Sequence, residues 1–251
     1  MQLLKRWTIF TLYLIFKAMK KSPYLLFLIA FLFLFSCSSK INDKGRSGLK
    51  GRVLSVKEIR CDPVRSNDKW VAGESLAQDF RILCFDKKGN LIKSYKVNME
   101  GDTVTSTTSV HENGDMVREV FYSREEVSPT ESIMIESNRI EYDRVSEEQV
   151  NWNIWKGDQQ TGHGATYYDR MGRIVMQKQV RYNTEETLHY IYDKILLMEH
   201  YREDMSGNIT VRQFFDYDDF DKHGNWKLML IYPDADKIIP DFVISREIDY
   251  Y

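Results

Sequence analysis

The sequence predicts an all-β protein, an elongated and twisted antiparallel sheet built from repeated β-hairpins. Three observations predict it. First, an aromatic-Asp-x-x-Gly motif recurs as FDKKG at Phe85–Gly89, YDRMG at Tyr168–Gly172 and FDKHG at Phe220–Gly224. Reduced forms stand between them: VHENG at Val110–Gly114 keeps the glycine, while YDRVS at Tyr142–Ser146 and YDKIL at Tyr192–Leu196 keep the Tyr-Asp. The starts fall at 85, 110, 142, 168, 192 and 220, in steps of 25, 32, 26, 24 and 28 residues, a regularity that marks a structural repeat. Second, the stretches after the glycines alternate with the period of a strand. Ile174, Met176, Val180 and Tyr182 share one face, with Lys178 the exception, and Arg173, Gln177, Gln179 and Arg181 share the other. Ile209, Val211, Phe215 and Tyr217 likewise alternate with Asn208, Thr210, Arg212 and Asp216. Third, the composition beyond residue 51 is rich in Tyr, Phe, Val and Ile, which suit a pleated, half-buried surface.

The turn has a physical basis. Asp86, Asp169 and Asp221 each accept a hydrogen bond from a backbone N–H two residues on, which favours a type I turn. Gly89, Gly172 and Gly224, with Gly114 and with Gly207 in the further turn DMSGN, adopt the left-handed conformation that returns the chain to the ladder through a bulge. The aromatic before each Asp ends a strand and faces the core. Each repeat reads as one hairpin with its return connection, and stacked hairpins give a long sheet.

Taken in order, the chain opens with a leader. Met19-Lys20-Lys21 supplies positive charge ahead of the apolar run from Tyr24, and small Ser36 closes it. That run is short for a membrane-spanning helix, which needs about 20 residues, and matches the apolar core of a secretory signal. Residues 1–36 are read as a signal peptide starting at Met19; the alternative is a hairpin anchor made from the two apolar stretches joined by KAMKKSP. Residues 37–50, polar and rich in Ser, Lys and Gly, are read as a flexible tether, and residues 51–251 as the repeat domain. Two polar stretches, Cys61–Asp79 and Ser123–Ser132, read as loops that interrupt the repeat. The terminal REIDYY reads as a paired last strand, with Ile248 and Tyr250 opposite in facing to Glu247 and Asp249.

Charge narrows the function. The whole chain has 35 basic and 37 acidic residues; residues 1–36 hold five basic residues and no acid, so the remainder is 30 against 37, net −7. An acidic body argues against nucleic acid as a partner. Chemistry-bearing patterns are sparse. His111, His163, His189, His200 and His223 stand in no metal-ligand spacing, and the acidic run Asp216–Asn225 lacks the closing Glu of a calcium loop. TGHGA at Thr161–Ala165 has no following Lys-Ser/Thr, and no serine sits in a nucleophile motif. The expectation is a non-enzyme without cofactor or metal. The rings of Trp152, Trp155, Tyr167, Tyr168 and Trp226 either fill a thin β core or stack against a sugar or a partner protein.

Two resemblances add to this. Leu34-Phe35-Ser36-Cys37 resembles the lipobox of bacterial lipoproteins. That resemblance implies lipidation of Cys37, cleavage before it, and membrane attachment through the lipid. Cys61 and Cys84 are then left in an oxidising compartment, either as a disulfide or as two separate buried thiols. The repeated turns, with GLKGRVLSVKEI, FDKKGNLI and YDDFDKHGNWKLMLIY, resemble the YD-repeat (RHS-like) units of small Bacteroidetes lipoproteins. The resemblance implies the hairpin fold and no activity. Surface-destined relatives carry acidic residues after the cysteine. Ser38, Ser39 and Lys40 stand there instead, which implies a lipid-anchored outer-membrane protein facing the periplasm, with exposure at the cell surface as the alternative. The function expected is a non-catalytic scaffold for a protein or glycan; the alternatives are an envelope hydrolase or a structural accessory.

Overall fold

The computed structural model describes residues 42–76, 79–128, 131–181 and 184–251. The signal segment and Cys37 lie outside the described residues. A short helix, α1 (Asp43–Arg46), precedes fifteen strands: β1 (Val53–Ser66), β2 (Lys69–Ser75), β3 (Asp79–Phe85), β4 (Leu91–Asn98), β5 (Thr103–Glu112), β6 (Asp115–Ser128), β7 (Glu131–Arg144), β8 (Gln149–Lys156), β9 (Gln159–Tyr168), β10 (Ile174–Arg181), β11 (Thr184–Asp193), β12 (Leu196–Asp204), β13 (Ile209–Phe220), β14 (Trp226–Tyr232) and β15 (Phe242–Tyr250). The all-β, antiparallel expectation holds. The elongated open sheet does not: β15 pairs with β1 from Tyr250↔Val53 to Val243↔Cys61, so β1 and β3 to β15 close into a barrel of 14 strands. The reason is twist. Strongly twisted open sheets rarely exceed about ten strands without curling, and closure removes the two unpaired edges.

Closure gives the repeat its meaning. All six repeat turns lie at one end of the barrel, here the base, where β1 begins and β15 ends. One repeat is therefore two barrel strands. The connections after β4, β8 and β12 lie at the other end, the mouth, and DMSGN is one of these. Side chains opposite one another in a ladder share a face, and the registers can be followed around the ring from Val56. The inward face carries Val56, Glu58 and Arg60 on β1, Arg81 and Leu83 on β3, Ser94 and Lys96 on β4, and Thr105 and Thr107 on β5. Further round it carries Phe121, Ile140, Trp152, Thr166, Gln177, Leu188, Arg202 and Val211.

The outer wall carries charged side chains at mid-height, set among Ile82, Tyr95, Tyr122, Tyr201 and Phe214 on the same face. Lys57, Lys178, Glu199, Arg212 and Glu247 all point outward from the middle of their strands. Two ion pairs lie flat on this wall, Lys57–Glu247 at 3.4 Å and Arg212–Glu199 at 2.7 Å. In β10 the outcome runs against a simple apolar-in pattern. Gln177, Gln179 and Arg181 face the lumen, while Met176 and Val180 face out with Lys178. In β13 Val211, Phe215 and Tyr217 do face in.

The segment read as a flexible tether is packed from residue 42 onward. Asn42 caps α1 by accepting from the Gly45 N–H and donates to the Lys88 carbonyl. Asp43 reaches His111 on β5 at 2.7 Å and the Leu91 N–H on β4. Arg46 lies over the Tyr168 ring on β9, Gly48 abuts Ile195 between β11 and β12, and the Lys50 N–H donates to Asn225 before β14. These partners are distributed around the ring, so residues 42–50 cross the base and close it. Leu49 of this segment joins Val53, Val56, Leu83 and Phe85 in a buried apolar cluster, with Leu91, Ile248 and Tyr250 against it. Burial of each such side chain contributes about 1.5–3 kcal/mol.

Both presumed loops are strand over their described residues. Residues 61–76 hold the end of β1, a turn at Asn67 and Asp68 with positive φ, and β2. A register shift between Cys61 and Pro63 turns this hairpin away from the ring. It lies back on the outer wall, where Trp70 and Ala72 pack on Leu230, Tyr232 and Val243, and Lys69 pairs with Asp218 at 3.4 Å. Residues 123–128 belong to β6 and 131–132 to β7, and the ladder of this pair continues past the strands on either side. REIDYY is a paired final strand as expected, with Ile248 in and Glu247 and Asp249 out.

Candidate functional site

The expected turns are built as their residues dictate. Asp86 Oδ1 accepts from the Lys88 and Asn90 N–H groups, and Gly89 (φ 87°) donates to the Asp86 carbonyl. Asp169 with Gly172, Asp204 with Gly207, and Asp221 with Gly224 repeat the same bonds. Asn98 with Gly101 makes the same turn and was missed, because NMEGD carries Asn for Asp. Gly114 is different. Asn113 and Gly114 both have positive φ, which makes a two-residue primed hairpin turn between Glu112 and Asp115. Of the aromatics before the turns, Phe85 is buried and Tyr142, Tyr168 and Tyr192 face in, but Phe220 is 47% exposed, next to Asp219 with φ 50°.

The cysteines stay apart. Cys84 pairs with Ser55 across β1–β3, six residues along β1 from Cys61. Six residues of strand span about 20 Å, and a disulfide needs Cα atoms within about 7 Å. Both are free thiols on the outward face, and burial raises both pKa values.

The aromatic cluster is also divided. Trp152 and Tyr168 face the lumen; Trp155 and Tyr167 face out, with Arg139 over Trp155 at 5.4 Å. Trp152 lies flat on Gly164, where a Cβ would overlap its ring, and donates to Thr166 at 3.2 Å. Trp226 is buried under the Arg246 guanidinium, 3.4 Å from its ring centre. His189 stacks on Tyr201 and His200 on Tyr190, and His223 lies tilted against Tyr250. Among the described residues no group of three His, Cys, Asp or Glu is placed to hold a metal. In the acidic run, Asp218 pairs with Lys69, Asp219 with Lys227, and Asp221 serves its own turn.

What the barrel brings together is a recess of about 730 Å³ in the mouth half of the lumen. It is lined by Glu58 and Arg60, Arg81, Ser94 and Lys96, Thr105 and Thr107, Phe121 and Ile244, with Asp79, Phe80 and Tyr95 at its border. One row crosses six strands: Arg246, Glu58, Arg81, Lys96, Thr105 and Ser123 stand opposite in turn. Its two carboxylates are committed. Glu58 accepts from Arg246 Nε and Nη2 at 2.9 and 2.7 Å, and Asp79 pairs with Lys96 at 2.7 Å. Burial lowers the Arg246 pKa while Glu58 opposes the shift. Arg60 lies over the Phe242 ring at 3.7 Å, and among the described residues neither Arg60 nor Arg81 has a carboxylate partner. A second recess of about 190 Å³ adjoins at Phe121 and contains Arg181. Exposed apolar residues stud the mouth rim: Met99, Met205, Ile238 and Ile239 in its connections, and Val127 and Ile133 near the β6–β7 tip. None of this was visible in sequence, because the main recess draws its residues from six strands, from β1 at one end of the chain to β15 at the other.

No protein-family model matches the chain, and no curated protein matches it. Among solved structures it is similar to a porin-like protein from Bacteroides uniformis ATCC 8492, known from a crystal structure. The identity is 7% and the TM-score 0.27, over 78% of this chain and 96% of that chain, too distant to carry an argument.

Proposed function

We propose that this is a lipid-anchored cell-envelope protein whose barrel stands in water and binds a protein or glycan at its mouth without catalysis. The observation that carries the reading is the set of charges on the outer wall at mid-height. A charged side chain on the lipid face of a spanning barrel costs about 2–4 kcal/mol at the midplane, and Lys57, Lys178, Glu199, Arg212 and Glu247 would incur that cost together. Attachment then comes from a lipid on Cys37. Residues 37 to 42 reach at most about 18 Å, so the anchor keeps the base near the bilayer and leaves the mouth free. The closed base, the hollow mouth and its apolar rim are what a cup presenting a binding face requires. Commitment of Glu58 and Asp79 to cations argues against acid–base work there.

The test is a glycan array and an envelope-extract pull-down with the full-chain protein, run beside a hydrolase substrate panel. Saturable binding that is weakened by substitutions at Arg81 or Lys96 supports the scaffold. Turnover that disappears with one Asp or Glu substitution contradicts it in favour of an enzyme.

A further inference from the structure

We infer that the mouth recess is an anion site for an acidic sugar, a saccharide bearing carboxylates or sulfates. The inference rests on the binding reading above and names its ligand class. Charge is the first argument. Of the groups lining the recess, Glu58 and Asp79 are neutralised by Arg246 and Lys96, which leaves the guanidinium groups of Arg60 and Arg81 unmatched. Arg181 in the adjoining recess has no carboxylate among its lining residues. Guanidinium offers the planar fork that pairs with carboxylate or sulfate oxygens. The chain as a whole carries a formal net charge of −2, so this local excess of cations is not a reflection of composition.

Shape and lining are the second argument. A space of about 730 Å³ falls in the range of small-molecule sites. Ser94, Thr105 and Thr107 present hydroxyl groups along one wall, and Phe121 supplies a ring for sugar C–H faces. An acidic peptide fits less well. The lining strands β1, β3, β4, β5 and β6 are paired to their neighbours, so the recess offers no open sheet edge for strand addition.

The experiment is calorimetric titration of the detergent-solubilised full chain with trigalacturonic acid, its methyl ester and hexaglutamate. Three proteins are compared, wild type, Arg60→Gln/Arg81→Gln and the outer-wall control Lys178→Gln, and wild type is titrated again in 0.5 M salt. The expected result is binding of the acid that weakens at least tenfold with the ester, with the double variant and in high salt, and is unchanged in Lys178→Gln. Thermal unfolding of the double variant should match wild type, since both arginines are exposed in the lumen. Equal binding of acid and ester would overturn the charge inference while leaving the scaffold standing. Equal binding of hexaglutamate would overturn the sugar class. No binding of the acid at all would overturn the site, and neutral-glycan capture undiminished in the double variant would place the scaffold's ligand elsewhere.

Discussion

At the scale of single residues, the turns were legible because their determinants are local. Burial alone would raise the Asp169 pKa, but bonds from the Arg173 side chain and from the Arg173 and Met171 N–H groups outweigh it and hold the carboxyl below its ordinary range. Asp86 and Asp221 show the same balance, and Asp204 is lowered chiefly by the Asn208 N–H. A depressed folded pKa contributes stability that is present above the unfolded value, near pH 4, and lost as pH falls through the folded value. Asp169→Ala should therefore cost about 1–2 kcal/mol at pH 7, as for loss of a side-chain cap, and the penalty should shrink in acid. Urea unfolding at pH 7 and pH 2.5 measures both, and a penalty equal at the two pH values would contradict the linkage. Asn98 escaped the same reading only because its amide does the carboxylate's work in a different letter.

At the scale of elements, strands inside the repeat were legible and the two outlying hairpins were not. Residues 61–76 are mostly polar because they lie on the outside of a barrel, with Trp70 and Ala72 turned toward Leu230, Tyr232 and Val243. Such a mostly polar stretch looks like a loop until the surface that Trp70 and Ala72 cover is known. Trp70→Ala should uncover that cluster, lower stability by about 1–3 kcal/mol given its partial burial, and raise binding of a hydrophobic dye. No change in either would mean the strap does not hold. The same non-locality hid the base. NDKGRSGLK has no periodicity, yet Asp43, Arg46 and Lys50 each find a partner on a different strand or turn. Residues 246–251 complete the seam with β1, and their removal should reopen two edges and promote aggregation. A soluble truncation of wild-type stability, seen by light scattering and thermal melting, would contradict closure.

At the scale of the whole molecule, period and twist were in the sequence but the closing register was not. Pairing Val53 with Tyr250 joins the ends of the described strands, and no local pattern states that distance. Nor does alternation say which face is wet: Gln177, Gln179 and Arg181 line a lumen that an open sheet would not have. Lipid attachment is tested separately, since labelled palmitate should appear in the wild type and vanish in Cys37→Ser. The central claim is that the barrel stands in water beside the membrane. Spin labels placed singly at Lys57, Lys178 and Glu199 in the membrane-attached protein test it most directly. A barrel in water gives strong relaxation by a water-soluble nickel chelate and weak relaxation by oxygen at all three positions. Oxygen accessibility that dominates at mid-height, with the chelate excluded, would show a lipid-facing wall and contradict it.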